Sequence, residues 1–234
     1  MSFLKRFSIF VVLAVFAVSI AAAQSSTRNR EMTVEESYLQ ESIENIIIRE
    51  TSRSGSRDQK LIALSYIGEA IDRGNTSVEI RSALEFLCLE GTKSIARESG
   101  RIVNNYPDLR RQAVKYLGSI GTEEAKNILL EVCQFENEPM VLQEAIKALG
   151  DIGLNDNNET IANITWVISR YDNLNPDNLL ALATIDTFDK IAKKNNGLNS
   201  TDAIRLLIRI SEGPYIRPVQ DRARQLLADL RRYN

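Results

Sequence analysis

The sequence contains no histidine, and this absence decides most of the chemistry that its residues could perform. Without histidine, Ser-His-Asp and Cys-His nucleophiles are excluded, and so is an HExxH zinc site. Two cysteines are too few for a cysteine-rich metal cluster. Neighbouring carboxylates such as Glu123 and Glu124 do not face each other on a helix, which makes them poor acid–base pairs. We therefore predict a non-catalytic protein without a metal or a cofactor.

Two glycine pairs, "GSIG" at 118–121 and "GDIG" at 150–153, raise the alternatives of a phosphate loop and a structural corner. Neither has the Lys-Ser/Thr of a P-loop, and both follow a helical pattern rather than a strand. The C-terminus of a helix carries the negative end of the helix dipole, which repels anions. The pairs therefore indicate a repeated corner, with Gly121 in the left-handed conformation that ends a helix.

These corners belong to a longer repeat, because "PDLRRQAVKYLGSIG" at 107–121 recurs as "PMVLQEAIKALGDIG" at 139–153. Apolar residues at spacings of three and four predict helices along nearly the whole chain. Signature alanines mark successive units, and their spacing of 32 to 50 residues is typical of a stacked solenoid: Ala63, Ala113, Ala145, Ala183 and Ala223. The widest spacing leaves room for an additional helix, which we predict over 92–104.

The first copy also resembles the first helix of a HEAT repeat of the short bacterial type found in phycobilin lyases. Its pattern of an acid, an aliphatic residue, an arginine, an alanine and a Leu-Gly pair is met by Asp108, Leu109, Arg110, Ala113, Leu117 and Gly118. The resemblance implies a right-handed superhelix of helix pairs and no particular activity. We expect an all-α α-solenoid of about five HEAT-like helix pairs, with an extra N-terminal helix.

The N-terminus has the features of a secretory signal peptide. Lys5 and Arg6 precede an apolar run from Phe7 to Ile20, and Ala21–Ala23 supplies a cleavage site. The run is short for a membrane span, so we expect cleavage after Ala23 rather than a retained anchor, with no stable membrane insertion afterwards. The predicted domains are the signal peptide (1–23), an N-terminal helix and linker (24–57) and a repeat domain (58–234). The predicted location is periplasmic or secreted.

Two cysteines in an exported chain suggest a disulfide, but Cys88 and Cys133 fall at equivalent positions of two predicted repeats. Equivalent positions on packed helices are separated by the helix spacing of ~8–10 Å, which exceeds the reach of a disulfide. We therefore predict two free, buried thiols and no disulfide.

The candidate partner-binding residues are a basic cluster and the single tryptophan. The cluster comprises Arg97, Arg101, Arg110, Arg111 and Lys115, with Arg97 and Arg101 expected on one helix face. It is either a docking patch for an acidic partner or an ordinary solvated face. Trp166 either packs between repeats, as most tryptophans do, or is an exposed aromatic anchor.

From these features we predict an exported helical-repeat scaffold that mediates protein–protein interaction. The alternatives are a lyase-like or enzyme-accessory repeat protein and a structural component of the cell envelope. The net charge of −2 gives no electrostatic reason to expect nucleic acid. We predict an unidentified protein partner and a monomeric chain, because arginines in the last helix resemble the polar cap of a solenoid.

Overall fold

A computed structural model describes residues 33–172 and 176–233, and the predicted signal peptide lies outside these residues. The described residues are mostly helical. The α-helices are α1 (Val34–Ser52), α2 (Arg57–Asp72), α3 (Val78–Leu89), α4 (Pro107–Ile120), α5 (Glu123–Phe135), α6 (Pro139–Ile152), α7 (Glu159–Asp172), α8 (Asn178–Lys194), α9 (Thr201–Glu212) and α10 (Arg217–Leu230). Short 3₁₀ turns cover Asp156–Asn158 and Arg231–Tyr233, and two short strands are β1 (Arg97–Glu98) and β2 (Arg101–Ile102).

The described residues divide into two units between Ile43 and Glu44. The first unit is described from Thr33, which forms a capping box with Glu36 at the start of α1. The Glu36 amide donates to Thr33 Oγ1 at 3.2 Å, and the Thr33 amide donates to Glu36 Oε2 at 3.0 Å. These two bonds satisfy amides that the first turn of a helix otherwise leaves without a partner.

The second unit is the predicted α-solenoid, built from helix pairs that stack in two rows. The first-helix row is α2, α4, α6, α8 and α10, and the second-helix row is α3, α5, α7 and α9. The helices are amphipathic, so each apolar stripe is buried only by its pair and by the neighbouring pairs. All five signature alanines, which lie on the first-helix row, are buried in this shared core. The expected fold class is confirmed.

The two glycine pairs are the corners between first and second helices. Gly121 and Gly153 end α4 and α6 in the left-handed conformation, with φ of 72° and 66°, which glycine adopts without a steric penalty. The other glycine of each pair permits close helix packing. A Cβ at Gly118 would lie 2.8 Å from the Cβ of Ala148, closer than two methyl groups can approach.

The segment 92–104 is a β-hairpin, so the helix predicted there is wrong. Ser99 and Gly100 form its turn with positive φ values of 49° and 81°, a conformation that requires leaving the helical region. Arg97 pairs with Ile102, and Glu98 pairs with Arg101. Arg97 and Arg101 therefore do not share a helix face. They are four residues apart because they lie on the two strands on either side of the turn.

The base of this hairpin is held by the side chain of Asn104. Its Oδ1 accepts from the Ala96 amide at 2.9 Å, and its Nδ2 donates to the Ser94 carbonyl at 2.8 Å. Gly91 packs so closely against the backbone of Asn104 that a Cβ there would overlap its carbonyl oxygen. The residues from Lys93 to Val103 are all exposed, so the hairpin stands out from a fixed base.

Ion pairs connect consecutive members of the first-helix row, and we call them the first-row ladder. Each rung joins one helix to the next member of its row, and most of the side chains involved are exposed or half-buried. The rungs are Arg57 with Asp108, Arg111 with Glu144, Lys190 with Asp151, and Arg222 with Asp186 and Asp189.

At the last rung, burial alone would raise the pKa of Asp189. Hydrogen bonds and charges from Lys193 and Arg222 outweigh that effect and lower the pKa. The carboxylate therefore stays ionised and keeps both of its basic partners.

Candidate partner-binding surface

Arg110 is not available to a partner, because it is one of the most completely buried side chains in the described structure. Its guanidinium makes a two-point ion pair with Glu136, with Nε–Oε2 at 2.7 Å and Nη2–Oε1 at 3.2 Å. Its Nη1 donates to Asn105 Oδ1 at 2.8 Å. The prediction of Arg110 as a partner-binding residue is therefore wrong, since a buried charge needs these partners to offset its desolvation.

The same arrangement occurs one pair earlier, where Lys60 of α2 forms a buried ion pair with Glu90 at 2.8 Å. Lys60 and Arg110 each lie three residues before a signature alanine, and each acid directly follows a second helix. In the next unit Leu142 occupies this position and is buried in the apolar core. The sequence shows a basic residue three positions before the alanine in two repeats. It does not show the buried ion pair, because the acidic partner lies 26 to 30 residues away.

The remaining members of the predicted basic cluster lie on different elements. Arg111 on α4 belongs to the first-row ladder through Glu144 at 3.3 Å, and Lys115 is exposed on the same helix. Arg97 and Arg101 lie on the hairpin, where Arg97 Nη1 donates to the Gly100 carbonyl at 3.2 Å. The five residues thus do not form the single patch that their closeness in the sequence suggested.

Trp166 lies on α7, in the second-helix row, and 49% of its surface is exposed. Packing in the core, one of the two interpretations of this residue, is therefore wrong, and the tryptophan is a surface side chain. The Arg170 guanidinium, one helical turn further along, lies 4.9 Å from the centre of its ring. Such a contact between a cation and an aromatic face is stabilising by about 0.5–1 kcal/mol at exposed sites.

Arg170 is itself fixed in place. Its Nη2 donates to the Glu136 carbonyl at 2.8 Å, and its guanidinium lies 5.5 Å from the centre of the Tyr171 ring. Burial raises the pKa of Tyr171, so its hydroxyl is protonated and donates to the Asn137 carbonyl at 2.5 Å. The Arg170 guanidinium thus contacts the Trp166 ring and is held in place by the Glu136 carbonyl, which directly follows α5.

A groove lies on each side of Trp166. The groove between α5 and α7 has a volume of about 390 Å³ and is lined by Gln134, Phe135, Asn163 and Trp166. The groove between α7 and α9 has a volume of about 400 Å³, and its lining includes Thr165, Trp166, Asp202, Arg205 and Arg209. Because its ring lines both grooves, Trp166 forms the ridge between them. The sequence could not locate them, since each is made by two helices from different pairs.

The second-helix row carries further aromatic rings with cations close to their faces. The Lys60 Nζ lies 5.1 Å from the centre of the Phe86 ring, and the Lys93 Nζ lies 5.8 Å from that of Phe135. Phe135 also lines the groove beside Trp166. Aromatic side chains and nearby cations therefore recur on α3, α5 and α7.

Cys88 and Cys133 are fully buried free thiols at equivalent positions of α3 and α5. Burial is the main cause that raises the pKa of Cys88 well above its ordinary value and that of Cys133 to about 12. Thiols in this state are core side chains rather than nucleophiles, since reactivity belongs to the thiolate.

Residues 101–165 match the family profile of HEAT repeats. The chain is also similar in structure to the complex of CpcE and CpcF of phycocyanin lyase from Nostoc sp. PCC7120, with a TM-score of 0.53 and 18% sequence identity. That similarity covers 88% of this chain and 69% of the other. No curated protein matches the sequence. The described structure is therefore a HEAT-type helical-repeat fold, and at this identity the likeness extends to the fold alone.

None of the helices over 33–172 and 176–233 is long and apolar enough to cross a membrane. Across the same ranges, no group of three or more acidic or cysteine side chains is arranged to hold a metal ion.

Proposed function

We propose that this protein is an exported, non-catalytic helical-repeat scaffold that binds a partner protein through its second-helix row. The single observation that carries this proposal is the half-exposed Trp166 ring between two grooves. Tryptophan and arginine are the residues that contribute most often to binding energy at the centre of protein interfaces. Here both types are present, and they are in contact before a partner arrives.

The fixed position of the ring supports the proposal energetically. A side chain that is already ordered loses little rotational freedom on binding, and that loss is otherwise about 0.5–1.5 kcal/mol for each immobilised side chain. Stacked repeats also present an extended surface that suits a macromolecule better than a small ligand. The similar fold of CpcE and CpcF occurs in a complex of two proteins, which is compatible with a role in protein assembly.

The test is affinity capture from the envelope or secreted fraction at low ionic strength, with the wild type and two variants. Trp166→Ala removes the ridge between the grooves, and we expect loss of the captured partner. Ile62→Ala is the matched control, because Ile62 is an exposed apolar residue on the first-helix row. Equal capture by all three chains, or capture of nothing by the wild type, would contradict the proposal.

Export is a separate part of the proposal and rests on the sequence of residues 1–23. Mass spectrometry of the protein from its native host tests it directly. We expect a mature chain that begins at Gln24, found outside the cytoplasm. A chain that retains Met1 or remains in the cytoplasm would contradict export. It would not contradict the proposed scaffold function.

The structural similarity to a phycocyanin lyase complex favours one alternative, an accessory role in chromophore attachment. That role predicts a bound chromophore, visible in the absorption spectrum of the protein purified from its native host. A colourless protein that still captures its partner through Trp166 would favour the scaffold.

We also propose that the chain is monomeric. Light scattering that shows a molecular mass increasing with protein concentration would contradict this.

A further inference from the structure

We infer that the partner is recognised through an extended acidic segment in polyproline II geometry, with apolar side chains three residues apart in the two grooves beside Trp166. This inference rests on the proposed function and specifies what the same surface binds. It follows from three features of the described residues: the spacing of the grooves, the charges around them and their polar atoms.

The spacing selects the conformation of the bound segment. The grooves lie on opposite sides of α7, so their separation is close to the distance between packed helices, about 8–10 Å. A polyproline II chain rises about 3.1 Å per residue and has three residues per turn, so residues i and i+3 point the same way about 9.3 Å apart. A β-strand instead points residues i and i+3 to opposite sides. A segment that crosses α7 with anchors three residues apart therefore fits both grooves in polyproline II form and not as a β-strand.

The charges select an acidic segment. The Arg170 guanidinium lies over the Trp166 ring. The groove between α7 and α9 is lined by two arginines, Arg205 and Arg209, and by one acidic residue, Asp202. Asp202 already has a basic neighbour, since its Oδ1 accepts from Arg205 at 3.2 Å. This local excess of arginine contrasts with the net negative charge of the whole chain. Carboxylates beside the apolar anchors would meet arginine, whose planar group binds them at two points.

One lining residue of each groove also has a buried polar atom that lacks a hydrogen-bond partner within the described structure. These atoms are Asn163 Oδ1 in the α5–α7 groove lining and Thr165 Oγ1 in the α7–α9 groove lining. Buried polar atoms are rarely left without a hydrogen bond. Polyproline II backbones make no internal hydrogen bonds, so their amides and carbonyls are free to bond such atoms once the side chains rotate.

The experiment uses Trp166 itself as the probe, since it is the only tryptophan of the chain and its fluorescence reports on this site alone. The ligands are synthetic eight-residue peptides without aromatic residues. The first has two prolines three residues apart among glutamates. The second has the same composition with the prolines two apart, and the third replaces the glutamates by lysines. We expect a saturable change with the first peptide and binding that is about tenfold weaker or absent with the others.

Two variants test the role of charge with matched geometry. Arg205→Gln removes the groove arginine, and we expect affinity for the acidic peptide to fall about threefold to tenfold. Arg232→Gln is the control, because Arg232 pairs with Asp229 three residues earlier, as Arg205 pairs with Asp202. Circular dichroism checks that both variants are folded, and the control should bind as the wild type does.

The outcomes separate the two proposals. Equal binding of acidic and basic peptides, indifference to proline spacing, or no fluorescence change with any peptide overturns the inference about the segment. If capture of a partner still depends on Trp166, the proposed scaffold function stands in each of those cases. If capture is also independent of Trp166, both proposals fail.

Discussion

Arg110 on α4 and Glu136, the residue after α5, form a buried two-point ion pair that also organises the start of α6. Besides the guanidinium, Glu136 Oε1 accepts from the amides of Asn137 and Glu138 at 2.9 and 3.0 Å. One carboxylate therefore connects three helices from two successive pairs. A residue that looked like a surface charge in the sequence is thus part of the interface between repeats.

Removing the arginine should be strongly destabilising, because it leaves the Glu136 carboxylate buried without its cation. We expect Arg110→Met to lower the free energy of unfolding by about 3–5 kcal/mol, measured by urea denaturation. The neighbouring Arg111→Met is the control, since Arg111 pairs with Glu144 at the surface and should cost less than about 1 kcal/mol. Equal costs for both variants would contradict the assigned role of Arg110.

Replacing Gly118 by alanine should lower the stability of the fold, although alanine has the higher helix propensity. In an isolated helix Gly→Ala is stabilising by about 1 kcal/mol. Here the new methyl group would lie 2.8 Å from the Ala148 Cβ, so we expect Gly118→Ala to destabilise by about 1–3 kcal/mol. Gly55→Ala is the control, because nothing lies within 4 Å of its Cβ position. Thermal denaturation of the two variants tests the difference, and a stabilised Gly118→Ala would refute the close packing of α4 and α6.

The hairpin turn should respond to residues that tolerate positive φ. Asparagine adopts this conformation more readily than serine, so Ser99→Asn should preserve or strengthen the hairpin. Gly100→Ala forces a side chain into φ near 81°, and we expect the protection of the hairpin amides to fall about fivefold. Hydrogen exchange measures both effects. Unchanged protection in Gly100→Ala would mean that the turn has another conformation in solution.

The buried thiols should make stability fall at alkaline pH. The pKa of Cys133 rises from an ordinary value of 9.0 to about 12 in the folded state, so above pH 9 the unfolded chain releases a proton that the folded chain retains. The free energy of unfolding should therefore decrease as pH rises from about 9 toward 12, by up to about 1.4 kcal/mol per pH unit. Cys133→Ala should have a shallower pH dependence in urea titrations. An unchanged slope would show that the thiol is not protected by the fold.

The repeat and its helix ends were predictable because their signals are local. A capping threonine and a left-handed glycine act over a few residues, and the alanines mark the repeat because each lies at nearly the same position of its own helix. Gly121 has the predicted conformation, and Thr122 after it caps α5 with its Oγ1 accepting from the Ala125 amide. Ser77 likewise caps α3, with its Oγ accepting from the Ile80 amide at 3.4 Å.

The features that were missed depend on distant partners or on a competing local signal. Arg110 is buried because Glu136 lies beside it in the fold, although 26 residues separate them. Trp166 is exposed because the cores on both sides of α7 are already filled by its neighbours on the buried stripe. At the hairpin, the spacing of Arg97 and Arg101 favours a helix, whereas Ser99-Gly100 favours a turn. The structure has the turn.

The first-row ladder makes the contacts between neighbouring pairs sensitive to salt, which the buried core is not. Each rung couples one pair to the next at the surface, where salt screens charges beyond about 8 Å at physiological ionic strength and beyond about 3 Å at 1 M. The core interactions change little over that range. Raising the salt concentration should therefore weaken the contacts along the first-helix row, while the packing of alanine and glycine between the helices is unchanged.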